Sequence, residues 1–200
     1  MEQHEVRTTA NGAVDEDPTE TREWLDSLES VARVCGSDRA LFLLAYRHGL
    51  RASEVGLLRA DDLDLRTLRL TVHRLKGSLS GTHPLQPDEA KAIRAWLRGR
   101  EQPPSPVLFP SNRGDPIARR TLDWLMKKYG EAAGLPPSKR HFHCLKHSIA
   151  THLLEAGADL RFVQDWLGHA NIQNTVVYAR LTTRGREGAA RRAFLNLPRY

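Results

Sequence analysis

The chain has few cysteines, few aromatic residues and no long apolar run. Its two cysteines, Cys35 and Cys144, allow one disulfide at most, which excludes a disulfide-stabilised scaffold for a chain of 200 residues. No apolar segment reaches the roughly 20 residues of a membrane span, and the N-terminus lacks the pattern of a signal peptide. We therefore expect a cytoplasmic protein that keeps its thiols reduced and has no membrane partner.

Positive charge is scarce at the start of the chain. Residues 1–30 contain two Arg and nine Asp or Glu, a balance of −7 within a total of +6. Residues 31–200 therefore carry +13, and a body this basic suits a polyanionic partner such as DNA. Charge alone fits a solvated basic surface equally well. Residues 1–20 also have few large apolar residues, so we predict that they are disordered.

Apolar residues recur at helical spacing along most of the chain. This spacing predicts helices near residues 21–32, 39–48, 53–58, 87–98, 118–133 and 143–155, after Asp159, around Tyr178, and in the tail at 183–200. The predicted N-caps are Ser37 or Asp38, Ser53, Asp159 and Thr175, and the predicted helix ends are Gly49, Gly134, Gly157 and Gly168.

Two segments have the alternating pattern of strands. One runs from Asp64 to His73, where apolar residues are spaced among Arg and Thr, and the other lies near residues 79–85. Lys76 and Gly77 lie in the turn between them. The sequence therefore predicts many helices and a short hairpin.

The segment 141–178 contains four residues suited to phosphate chemistry. His143 and Lys146 lie three positions apart, so they share one face if the segment is helical. His169 follows a Leu-Gly turn, and Tyr178 comes nine positions later. A phenol can attack a phosphodiester while cations hold charge on the phosphate oxygens and a histidine assists. These residue types point to transesterification at phosphorus without a metal.

At these residues the sequence resembles the tyrosine recombinase (phage integrase) family. That family carries His-x-x-Arg at a helix start, then Leu-Gly-His, then a nucleophilic Tyr about nine residues on. The matching segments are His-Cys-Leu-Lys at 143–146, Leu-Gly-His at 167–169, and Tyr178. One position departs from the family, because Lys146 stands where the family has Arg. The segment Gly-Leu-Arg-Ala-Ser-Glu at 49–54 also matches the family motif that contains its first catalytic Arg.

The resemblance implies a fold and a domain layout. It covers about residues 22–182 and implies an α+β catalytic domain, mostly α, with a small antiparallel sheet. We expect a disordered acidic N-terminus at 1–20, the catalytic domain at 21–182 and a basic tail helix at 183–200. The 20 N-terminal residues cannot form the core-binding domain that most members carry. In size the chain is similar to the small fimbrial-switch recombinases of this family.

The resemblance also implies a reaction. Tyr178 would attack the scissile phosphate, form a 3′-phosphotyrosine and free a 5′ hydroxyl. Arg51 and Lys146 would hold the phosphate oxygens, His143 would assist proton transfer, and His169 would hydrogen-bond the phosphate. The energy of the broken bond would stay in the covalent link, so no cofactor is expected.

Further roles are implied for residues outside this set. The hairpin residue Lys76 would protonate the leaving 5′ oxygen, with the neighbouring Arg74 as the fallback, and Glu54 or Asp62 would orient the site. The expected DNA contacts are Arg74, Lys139, Arg140 and Arg180.

The expected function is site-specific recombination of double-stranded DNA, with integration, excision or inversion as the outcome. The expected assembly is a homo-oligomer on DNA, from dimer to tetramer, with room for an accessory DNA-binding protein. Two alternatives share the fold or the chemistry: a DNA-binding protein that lost catalysis through Lys146, and an enzyme similar to type IB topoisomerases. No metal is expected. The histidines near Cys144 do not form a His-Glu-x-x-His motif, because its Glu is absent, and the chain has no second pair of cysteines.

Overall fold

The computed structural model describes residues 36–75, 77–99 and 105–179, together with Leu195. The predicted acidic N-terminus, the first helix near 21–32 and the basic tail helix at 183–200 lie outside the described residues, except for Leu195. Lys76 and Arg180 also lie outside them.

Seven α-helices lie within the described residues. They are α1 (Gly36–Arg47), α2 (Ala52–Leu57), α3 (Pro87–Arg98), α4 (Arg119–Ala132), α5 (Cys144–Glu155), α6 (Leu160–Trp166) and α7 (Gln173–Ala179). Short 3-10 turns lie at Ala60–Asp62 and Pro137–Lys139. The helices predicted from apolar spacing in these regions are confirmed to within a few residues.

Three of the four predicted N-caps are wrong. Ser37 and Asp38 both lie inside α1. Helix α2 begins two residues earlier than an N-cap at Ser53 implies, with Arg51 at its N-cap and Ser53 inside it. Thr175 lies inside α7, where its hydroxyl contacts His169. Asp159 caps α6 as predicted, because its Oδ1 accepts the backbone N–H of Phe162 at 2.8 Å.

The sheet has three antiparallel strands in the order β1 (Leu63–Asp64), β2 (Arg69–Val72) and β3 (Gly81–Pro84). The prediction of one strand from Asp64 to His73 is wrong, because a turn at residues 65–68 divides it. Asp64 Oδ1 accepts the backbone N–H groups of Arg66 and Thr67 at 2.9 and 3.0 Å. This local side-chain turn competes successfully with an extended backbone.

The main core forms around α1. Its residues Ala40, Leu41, Leu44 and Ala45 are almost fully buried, and the helix packs against both α3 and α5. The inward residues of β2 and the apolar face of α4 complete the core. The result is a mostly helical fold with a small antiparallel sheet, as the sequence led us to expect.

A second apolar cluster joins the last three described helices. The cluster contains Ile149 and Leu154 of α5, Val163 of α6, Leu167 at the end of α6, and Tyr178 of α7. Burial of this apolar surface holds α6 and α7 against α5. The ring of Tyr178 is therefore part of the packing that fixes its own position.

The turn at Gly168 ties the β2–β3 loop to the end of α6. Gly168 has a φ of +68°, and its carbonyl accepts the backbone N–H of Leu79 at 3.0 Å. A Cβ added at Gly168 would lie 2.5 Å from the carbonyl oxygen of Leu79, which is a rigid backbone atom. Only glycine allows this close approach, so the turn requires it.

We expect Gly168→Ala to lower the free energy of unfolding by about 2 kcal/mol or more, because backbone strain and a steric clash add. Gly134→Ala is the matched control: its φ is +75°, but no atom lies within 4 Å of an added Cβ. Gly134→Ala should lower the free energy of unfolding by about 1 kcal/mol. Urea unfolding of both variants is the measurement, and equal losses would contradict the close approach at Gly168.

Candidate active site

Arg51 begins the site at the N-terminus of α2. Its side chain is 30% exposed, and its Nη1 donates to Glu54 Oε1 at 2.7 Å and to Ser78 Oγ at 3.2 Å. Ser78 belongs to the β2–β3 loop, so Arg51 links that loop to α2. A guanidinium at a helix start, with part of its surface open, can meet an anion from solvent.

The buried carboxylate of Glu54 holds two arginines. It accepts the backbone N–H of Arg51 at 2.8 Å, the Arg51 guanidinium, and Nη1 of Arg74 at 2.9 Å. Burial alone would raise the pKa of this carboxyl, but the Arg51 amide and the charge of Arg74 outweigh it and lower the pKa. Asp62 instead binds His73 and the backbone of Arg59, so Glu54 is the residue that orients Arg51.

Arg74 lies behind the site. Its side chain is 1% exposed. Nη1 donates to the Gly49 carbonyl as well as to Glu54, and Nη2 donates to the carbonyls of His48 and Trp166 at 2.7 and 2.8 Å. These contacts contradict the predicted DNA contact and the fallback acid role, because this guanidinium is enclosed by protein. It joins α1, α2 and α6 instead.

Lys146 is also enclosed. The residue is 1% exposed, and its Nζ donates to the Leu167 carbonyl at 2.9 Å. Burial, together with the charges of Arg74 and Arg51, lowers the pKa of Lys146 to about 6, with Glu54 opposing part of the effect. The amine is therefore mostly neutral at pH 7 and bound to the turn that leads to His169.

Tyr178 contacts a histidine that the sequence analysis did not assign. Its hydroxyl lies 2.8 Å from Nδ1 of His147, and the His147 ring meets the ring of His143 edge-on at 4.4 Å. His147 follows His143 by four residues, one helical turn on the same face. That spacing is visible in the sequence, and it is the signal that points to His147.

His169 lies on another side of Tyr178. The two rings are nearly parallel with centroids 6.5 Å apart, and Nδ1 of His169 bonds Thr175 Oγ1 at 2.9 Å. Burial first, then nearby positive charge, lowers the pKa of both His147 and His169 to about 4. Both imidazoles are therefore neutral at pH 7.

The structure thus gathers five of the six predicted catalytic residues into one region. The charge of Arg51 adds to burial in lowering the pKa of His169, and His143 and His169 lie on two sides of the His147–Tyr178 pair. These residues come from α2, α5, the turn after α6, and α7. The sixth, Lys76, lies outside the described residues.

The two described residues of the predicted basic loop differ in their contacts. Arg140 is half-buried, and its Nε donates to the Leu135 carbonyl at 2.7 Å, so it helps to close the loop after α4. Lys139 is also half-buried, and its charge lowers the pKa of His147. Lys139 therefore lies near enough to the site to act on a bound phosphate electrostatically.

In residues 36–75, 77–99 and 105–179, no three His, Cys, Asp or Glu side chains converge as metal ligands. Across the same residues, none of the helices has the length and hydrophobicity to span a bilayer.

Comparison with known sequences gives consistent matches. The model of the phage integrase family matches residues 19–184. The type 1 fimbriae regulatory protein FimE of Escherichia coli K12 is 40% identical over 145 residues, which is 70% of this chain and 73% of FimE. The tyrosine recombinase XerA of Thermococcus kodakarensis is 38% identical over 147 residues, 72% of this chain and 51% of XerA.

Solved structures match in the same region. A crystal structure of the XerA recombinase superposes with a TM-score of 0.74 at 27% identity, covering 92% of this chain and 65% of that one. The XerH site-specific recombinase in a post-cleavage complex with its difH substrate gives 0.72 at 26% identity, covering 88% and 52%. The chain therefore spans between half and two thirds of the length of these solved recombinases.

The buried Lys146 gives a pH-dependent stability. Because its pKa is lowered from 10.5 to about 6, the unfolded chain binds more protons between these values, and stability rises with pH there. We expect Lys146→Met to be more stable than wild type at pH 6. The difference should shrink as pH rises, by at most about 1.4 kcal/mol per pH unit.

Urea unfolding between pH 6 and pH 9 measures this difference. Lys127, exposed on α4, is the matched control as Lys127→Met. A difference between Lys146→Met and wild type that stays constant over this range would contradict the lowered pKa.

Proposed function

The chain belongs to the phage integrase family of tyrosine recombinases, which break and rejoin DNA, and we propose that its nucleophile is Tyr178. The observation that supports this most strongly is the position of the phenol. Its hydroxyl lies 2.8 Å from Nδ1 of the neutral His147, and its ring is nearly parallel to that of the neutral His169, on which the charge of Arg51 acts. A nucleophile beside proton-accepting and cationic groups is the arrangement that phosphoryl transfer requires.

In the proposed reaction the Tyr178 oxygen attacks the scissile phosphorus and the bond to the 5′ oxygen breaks. The product is a 3′-phosphotyrosine with a free 5′ hydroxyl. A 5′ hydroxyl from another strand then attacks this link, and the phenol leaves. The leaving 5′ oxygen needs a proton, which we assign to Lys76 on the family resemblance.

Arg51 and Lys146 are proposed to stabilise charge on the phosphate oxygens. Arg51 already has its guanidinium partly open, steadied from behind by Glu54. Lys146 must exchange the Leu167 carbonyl for a phosphate oxygen, and the negative charge of that phosphate would raise its pKa and restore the ammonium. Preorganised cations of this kind are usually the largest contribution to such catalysis.

His169 is proposed to hydrogen-bond the phosphate through Nε2. Its Nδ1 is fixed by Thr175, and if the threonine hydroxyl donates, the remaining proton is on Nε2. His143, exposed at the start of α5, is proposed to assist proton transfer at the phosphate.

The proposed partner is double-stranded DNA, bound by a basic body that includes Lys139, Arg140 and Arg180. XerH is described in a post-cleavage complex with its DNA substrate. We further propose an oligomer on DNA, from dimer to tetramer, aided by an accessory DNA-binding protein. Integration, excision and inversion are the candidate outcomes, and the expected location is the cytoplasm.

Lys146 favours one competing function, a DNA-binding protein without catalysis. A neutral, enclosed amine at Lys146 is what we would expect in a site that no longer catalyses the reaction. The order of Leu-Gly-His before Tyr178 supports recombination over the topoisomerase alternative. A covalent adduct on DNA separates enzyme from binder, and relaxation of supercoils without site preference would identify a topoisomerase.

We expect Tyr178→Phe to abolish the covalent DNA adduct and leave DNA affinity nearly unchanged, because the ring still packs while the nucleophilic oxygen is gone. Trapping on a nicked suicide substrate, followed by denaturing electrophoresis, is the measurement. Tyr129→Phe, which removes the hydroxyl that Tyr129 directs at Asp38, is the control and should form the adduct. A normal adduct yield from Tyr178→Phe would place the nucleophile elsewhere.

We expect Lys146→Ala to reduce the cleavage rate by about 10²–10³, the usual cost of losing one donor to transition-state charge. Lys146→Arg should cleave faster than the Ala variant, because it restores a cation on the same face of α5. Single-turnover cleavage of the same substrate measures both. Equal rates for wild type and Lys146→Ala would show that Lys146 has no catalytic role.

A further inference from the structure

We propose that His147, rather than His143, accepts the proton of the Tyr178 phenol during strand cleavage and returns it during rejoining. This inference rests on the proposed role of Tyr178 as the nucleophile. It adds a residue that neither the family motif at 143–146 nor the Leu-Gly-His motif contains.

Geometry is the first argument. The Tyr178 hydroxyl lies 2.8 Å from Nδ1 of His147, within the range at which a proton moves directly between two heavy atoms. His143 instead presents its ring to the ring of His147 at 4.4 Å, so His147 stands next to the phenol and His143 next to His147.

The position of His147 on α5 is the second argument. Its backbone N–H bonds the His143 carbonyl, and its own carbonyl accepts the hydroxyl of Thr151 at 3.2 Å. The residue therefore lies within a packed helix, next to the buried Lys146. An imidazole on a rigid helix keeps its lone pair directed at the phenol, which is the preorganisation that proton transfer needs.

The protonation state is the third argument. Burial first, and then positive charge close by, lowers the pKa of His147 to about 4. At neutral pH the ring carries one proton. If the phenol donates to Nδ1, that proton is on Nε2 and the lone pair on Nδ1 is available. The incoming phosphate would then stabilise the imidazolium that proton transfer creates.

The step balances without another reactant. As the bond from Tyr178 oxygen to phosphorus forms, the phenolic O–H bond breaks and the proton moves to Nδ1 of His147. The bond from phosphorus to the 5′ oxygen breaks, and that oxygen takes its proton from a separate acid. In rejoining, a 5′ hydroxyl attacks phosphorus and gives its proton back to the conjugate base of that acid, the bond to Tyr178 breaks, and the His147 imidazolium protonates the departing phenolate.

The first test uses His147→Ala and His147→Asn in the full chain, with single-turnover cleavage of a nicked suicide substrate. Loss of a general base typically costs about 10²–10⁴ in rate, and we expect both variants to fall in this range. The Asn side chain can hold the phenol but cannot take its proton. A cleavage rate for His147→Asn close to wild type would overturn the proposal and leave His147 as a positioning residue.

The second test changes the acidity of the nucleophile. Replacement of Tyr178 by 2,3-difluorotyrosine makes the phenol more acidic, so it depends less on a base. In the His147→Ala background we expect cleavage to recover by about tenfold or more. Arg51→Ala is the control, because Arg51 acts on the phosphate and its defect should not recover. No recovery in His147→Ala, or equal recovery in both, would overturn the proposal.

The two proposals fail in different ways. If Tyr178→Phe forms a normal yield of adduct, Tyr178 is not the nucleophile, and the role proposed for His147 is rejected as well. If Tyr178→Phe forms no adduct while His147→Ala cleaves at the wild-type rate, Tyr178 remains the proposed nucleophile and only the proton-acceptor role of His147 is rejected. If His147→Ala loses DNA binding through a folding defect, the His147→Asn variant and its difluorotyrosine form decide the question by the same criteria.

Discussion

The site depends on one buried carboxylate between two guanidinium groups. Glu54 lies at the start of a short helix and binds Arg51 on its open side and Arg74 on its enclosed side. A buried carboxylate without partners would be strongly unfavourable, and so would the enclosed Arg74 without its counter-charge. Each group therefore requires the others. The arrangement also gives Arg51 a fixed direction toward the site, because one of its nitrogens is already bound.

Arg74 extends this constraint to the rest of the fold. Its bonds to the carbonyls of His48, Gly49 and Trp166 bring together the ends of α1 and α6, and its own position on the β2–β3 segment adds the sheet. The turn at Gly168 is linked to the same segment through Leu79. The groups proposed as catalytic come from distant parts of the sequence, and these enclosed polar contacts set their spacing.

Much of the fold could be predicted from the sequence, because its helices follow apolar spacing and its sheet is short. The segment 141–178 and the Gly-Leu-Arg motif at 49–54 likewise identified five residues that the structure brings together. Two kinds of feature could not be predicted. The turn that divides the strand at Asp64 depends on a side chain bonding nearby backbone N–H groups, which competes with strand periodicity. The burial of Arg74 and Lys146 depends on tertiary packing, and composition suggests the opposite for such residues.

The bond between Lys146 and the Leu167 carbonyl has a consequence for how the protein engages DNA. With a lysine of lowered pKa in this position, the resting site carries less positive charge than it would with an arginine. In the proposed reaction, a phosphate that recharged Lys146 would draw a proton from the solvent, so productive engagement would be linked to proton uptake. A phosphate that contacts the surface for a short time would meet Lys146 in its mostly neutral form. Lys146, which stands where the family has Arg, would then make weak DNA contact and DNA cleavage two distinct states of the site.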